Sequence, residues 1–167
     1  CTRHSRIFAF PPGQPMLRFL DTRGIGEVGY DAADDISFGE SQAHVLLVTM
    51  RAMDVDQQVI IDVVSAARRS HPEWPLIVAQ TSLHEGYTRQ QSHLLPYPFD
   101  MSAPDATDAL PLASDLLRCL REQRSQLAQL PGTGPVWFVP IDFTKPSDKM
   151  PPAAYGLDAL GDALVRV

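Results

Sequence analysis

Cysteine is scarce in this chain: its 167 residues include two, Cys1 and Cys119. That number cannot build a disulfide framework, and a reducing, cytoplasmic setting is the expectation. Positive charge is also in short supply, with 14 Lys and Arg against 20 Asp and Glu and a formal net charge of −6. This balance argues against a general nucleic-acid or membrane-surface binder, and no motif gives a direct nucleic-acid signal. No apolar run reaches the roughly eighteen residues that a transmembrane helix needs. The expectation is also that there is no secretory leader, since no charged start followed by an apolar middle opens these residues. The histidines (His4, His44, His71, His84, His93) include no i,i+4 pair and have no cysteine companions, so a zinc site is not expected. A Gly-x-Ser-x-Gly elbow does not occur either, which disfavours a serine hydrolase of that type.

What is present is ordinary globular material. Hydrophobic residues make up 44% and charged residues 20%, enough apolar surface for one domain with a real core. Ser5 to Phe10 alternates polar and apolar residues and stops at Pro11-Pro12-Gly13, and Met16 to Leu20 is a second short strand. A few turn residues join them, which predicts an antiparallel hairpin. The acidic, Gly-containing stretch 24–35 has no apolar period and reads as an exposed loop, with a short helix over 36–42. Three nearly continuous apolar runs, 44–49, 75–80 and 136–141, have the pattern of strands buried on both faces. Between and after them lie helical patterns over 57–69, with Asp56 as N-cap, over the Leu-striped segment 112–130, and over 156–165. Strands alternating with helices imply right-handed crossovers and a parallel sheet covered on both faces. The polar, Pro-rich segment 84–110 reads as a long loop, and 84–130 as a whole as an enlargement with room for a protein partner.

Chemistry in such a sheet belongs at the carboxyl ends of its strands. Leu17 to Leu20 delivers Asp21-Thr22-Arg23-Gly24. A carboxylate there can hold Mg²⁺ through water, and a glycine amide can approach a terminal phosphate closely. Thr2 precedes the first strand, where its hydroxyl would reach the same metal. The middle apolar run ends in Thr81-Ser82-Leu83-His84, and the last is followed by Phe143-Thr144-Lys145.

Together these pieces resemble the P-loop GTPases, and more closely their Era-like branch. In that branch a switch threonine, a hairpin, Asp-Thr-Pro-Gly, a buried strand and helix, and a strand carrying the guanine-reading motif follow in this order. The resemblance implies a three-layer α/β Ras-like fold whose mostly parallel sheet carries one antiparallel hairpin. It implies Mg²⁺ with GTP or GDP, a metal held at Thr2 and Asp21, and nucleotide contacts from Gly24, Thr81, Ser82, His84, Phe143, Thr144 and Lys145. The chain departs from the family at three points. Thr81-Ser82-Leu83-His84 stands where the family has Asn or Thr, Lys, any residue, Asp. Ile25 stands where some members orient water with Gln, which implies slow hydrolysis or a water oriented by another group. The phosphate-cradling Gly-x-x-x-x-Gly-Lys-Ser/Thr loop does not occur. The expectation is therefore that residues 1–167 are the carboxyl-terminal portion of a GTPase-like domain, without its central first strand and phosphate-loop helix. The intact protein would bind guanine nucleotide and hydrolyse it slowly as a switch. The alternative is a degenerate GTPase-like module that binds no nucleotide and serves as an interaction scaffold.

Overall fold

The computed structural model describes residues 6–22, 43–54, 56–89 and 91–167. Strands β1 (Arg6–Phe10) and β2 (Leu17–Asp21) pair antiparallel, with Arg6 opposite Asp21 and Phe10 opposite Leu17. The Met16 amide donates to the Phe10 carbonyl at 2.9 Å and closes the turn over Pro11, Pro12 and Gly13. All of β1 is exposed, and Ile7, Phe8 and Phe10 each keep half or more of their surface in solvent.

The second sheet is parallel. Strands β3 (Leu46–Arg51), β4 (Leu76–Thr81) and β5 (Val136–Pro140) lie in that order, with Val48 beside Val78 and Val78 beside Phe138. Helix α1 (Gln58–Ser70) crosses from β3 to β4, and α2 (Ser114–Ala128) lies between β4 and β5 in the chain. Strand β4 is central, which explains its unbroken apolar reading: side chains pointing either way are buried. Leu76 and Val78 join Val48, Val64, Leu127 and Phe138 on one face. Ile77 and Ala79 join Val139, Ile141 and Ala163 on the other. Full burial contributes about 1.5–3 kcal/mol for each such Leu, Ile or Val, before the entropic cost of ordering.

After β5 come two short antiparallel strands, β6 (Asp142–Phe143) and β7 (Ala154–Tyr155), and the closing helix α3 (Leu157–Val165). The expected hairpin, the three parallel strands and the three helices flanking them are all present. Asp56 does not cap α1. The N-cap is Gln57, which makes no side-chain cap bond; its buried amide donates instead to the Asp54 carbonyl at 2.9 Å. Segment 84–110 opens within one 3₁₀ turn, Leu83–Gly86, and contains another, Pro104–Ala109. Its Phe99 packs with Ala52, Leu83, Leu116, Leu120 and Tyr155 in a separate cluster at the carboxyl end of the sheet. The expected short helix over 36–42 and the loop over 24–35 lie outside the described residues. Among the described residues no helix is long and apolar enough to cross a membrane.

Arg68 on α1 ties the strand starts together. Its guanidinium, 1% exposed, donates to the carbonyls of Pro131 at 2.6 Å, Trp74 at 2.9 Å and Gly134 at 2.8 Å. Three carbonyls ahead of β4 and β5, that of Trp74 buried and the other two partly so, are thereby satisfied from one side chain.

Candidate functional site

The carboxyl edge of the parallel sheet is assembled from the ends of β4 and β5. Strand β4 stops at Thr81, and Ser82 turns the chain with φ 57° and ψ 43°, the left-handed region that a serine seldom enters. Leu83 is fully buried and pins the turn that follows. The next residue, His84, is thereby aimed across the sheet edge at Asp142. On the other side the Ile141 amide donates to the Gln80 carbonyl at 2.8 Å, which holds the end of β5 beside β4 until Asp142 is reached.

Asp142 has no exposed surface, and its carboxylate gathers three donors. The His84 backbone amide donates to Oδ2 at 2.7 Å. The His84 ring places Nδ1 at 2.8 Å from Oδ1 and 2.9 Å from Oδ2. His93 Nε2 lies 3.1 Å from Oδ2. An ionised carboxylate only accepts, so His84 Nδ1 carries its proton toward Asp142. The second nitrogen of His93, Nδ1, faces the Pro151 carbonyl at 3.2 Å. Both ring nitrogens of His93 thus face oxygen atoms of the protein. His93 also stacks on Tyr155, with centroids 4.2 Å apart and planes 6° from parallel.

The surrounding phenols are held in their neutral form. Burial raises the Tyr155 hydroxyl to about 12, and the Asp142 charge adds to the shift. Burial also raises Tyr87 and Tyr97, with Tyr155 next in importance for each and Asp142 a further contributor for Tyr87. Tyr97 donates its hydroxyl to the Pro140 carbonyl at 2.8 Å, and Tyr155 donates to Leu94 at 3.0 Å. Beside this cluster the Lys145 amide donates to Asp148 Oδ2 at 2.7 Å. That bond holds the Asp148 carboxyl below its ordinary value, with smaller help from the Ser147 hydroxyl and from His84.

The expected site residues are distributed as follows. Asp21 is exposed at the carboxyl end of β2, in register with Arg6. Thr2 and Gly24 lie outside the described residues. Thr81 gives its hydroxyl to the Met50 carbonyl at 3.2 Å, so it serves the β3–β4 pair. Ser82 and His84 stand at the sheet edge with Asp142. Phe143 is exposed in β6, and Thr144 is engaged locally through Ala153 and Met150. Lys145 caps the turn that Asp148 closes. Glu85 pairs with Arg51. Asp142 and His93 were not among the expected site residues. Asp142 carries a legible signal, a carboxylate directly after the third apolar run. His93 carries none, because it reaches the site from a loop without periodicity.

Among the described residues no three His, Cys, Asp or Glu side chains converge as a metal site. A Mg²⁺ ion held with phosphate needs one or two carboxylates and water, and the exposed Asp21 carboxylate fits that smaller demand. Comparison with known proteins gives no match to a family model, to a curated protein or to a solved structure.

Proposed function

We propose that this chain is part of a Ras-like nucleotide-binding domain, which in the full-length protein binds a guanine nucleotide with Mg²⁺ and hydrolyses it slowly as a switch. One observation carries this reading: the antiparallel hairpin β1–β2, ending at Asp21, and the parallel sheet β3–β4–β5 are separate sheets. Among the described residues β2 pairs only with β1, and β3 only with β4. A Ras-like sheet has this order of strands, with one further strand running between the hairpin and the parallel set. That strand delivers the phosphate-binding loop. The edges of β2 and β3 that are unpaired among the described residues are what such a strand would pair with.

In this reading Asp21 holds the metal through water, the Thr2 hydroxyl adds a ligand, and the Gly24 amide meets the terminal phosphate. The metal supplies charge neutralisation on the phosphates, which lowers the barrier to attack by water. Ser82, His84 and the 143–145 loop face the base. The substitution of Ser82 and His84 for the family's Lys and Asp favours the rival, a scaffold without nucleotide.

The deciding experiment is fluorescence titration of the full-length protein with N-methylanthraniloyl GTP and GDP, with Mg²⁺ and with EDTA, followed by phosphate release at saturation. Magnesium-dependent binding with slow turnover supports the switch. Absence of binding at millimolar nucleotide leaves the scaffold.

A further inference from the structure

We draw no further inference here: the strongest candidate, the open cleft between segment 97–101 and helix α3 lined by Tyr97, Phe99, Asp100, Asp158, Asp162 and Arg166, rests on a cluster of acidic side chains around an apolar floor, and nothing in the structure shows what covers it.

Discussion

Asp142 holds His84 at two points, accepting its backbone amide at 2.7 Å and its ring Nδ1 proton at 2.8 Å. A side chain that fixes both the backbone and the ring of one residue sets the path of the loop as well as the direction of the ring. The left-handed Ser82 is upstream of the same clamp. A strained residue persists only where its surroundings over-determine it, and here the buried Leu83 and the Asp142 carboxylate do so.

The first prediction concerns the other partner of that carboxylate. His93 is buried, with both nitrogens facing oxygen acceptors. Asp142→Ala would leave the buried His93 nitrogen and the His84 amide without their acceptor, at a cost of about 1–3 kcal/mol for each unmade bond. The double variant Asp142→Ala with His93→Leu removes both polar partners and should recover part of the loss. Urea denaturation of the single and double variants measures this. A double variant no more stable than Asp142→Ala would mean that the two do not interact as a pair.

Much of the fold was legible because apolar runs and helical spacing are local signals. Leu76 to Ala79 reads as a strand buried on both faces, and it is the central strand for that reason. The hairpin was equally clear, from alternation broken by Pro11-Pro12-Gly13. The candidate site was legible only in part. His84 was visible as a departure at a strand end, but its partner Asp142 lies 58 positions away in sequence, and only parallel pairing brings the ends of β4 and β5 together. Asp56 looked like a helix cap from composition alone. Capping depends on the backbone angle of one residue, and Gln57 holds that position instead.

A second prediction tests the packing that aligns the strand starts. A Cβ on Gly134 would press into the backbone carbonyls of Glu73 and Trp74, well inside van der Waals contact and with no flexible side chain to give way. Gly134 also presents its own carbonyl to Arg68 at 2.8 Å. Gly134→Ala should therefore destabilise by about 3 kcal/mol or more, in the range of severe overpacking. Gly161→Ala is the control, since a Cβ there meets nothing within 4 Å. On α3 that change should be neutral or stabilising by up to about 1 kcal/mol. Thermal unfolding of the two variants should move in opposite directions or differ clearly in size.

The third prediction is a pH dependence. Tyr155 ionises near 12 in the folded chain against an ordinary 10.0, and Tyr87 and Tyr97 are also raised. A phenol whose folded pKa is raised binds its proton more tightly folded than unfolded. Its contribution is complete below pH 10 and is lost as pH rises toward 12. Stability should therefore fall over that window, and ultraviolet titration should register these phenolates late and together with loss of structure. Tyr155→Phe removes one titrating group and should flatten the slope. The same variant sacrifices the bond to the Leu94 carbonyl, so stability at neutral pH should drop by about 1 kcal/mol. Reversible ionisation of all these tyrosines near their ordinary value, with structure retained, would contradict the enclosed cluster around His93.

The last prediction returns to Asp21, the one described residue to which the proposed function gives the metal. It stands exposed at the end of β2, where a carboxylate can take a hydrated Mg²⁺ ion beside a phosphate. In the full-length protein Asp21→Ala should weaken magnesium-dependent nucleotide binding or hydrolysis by about tenfold or more, because the ion's charge is what offsets the phosphates. The effect must vanish in EDTA, where wild type and variant should bind with equal, weaker affinity. Folding offers little confusion here: the residue is exposed, and its loss leaves the β1–β2 ladder intact. The 167-residue chain by itself has no Gly-x-x-x-x-Gly-Lys-Ser/Thr loop. In P-loop GTPases most of the phosphate contacts come from that loop, so under the proposed function the chain alone should bind GTP no tighter than micromolar, and equilibrium dialysis would detect a tighter complex. A magnesium dependence unchanged by Asp21→Ala would leave Asp21 as the closing residue of a hairpin and move the metal elsewhere.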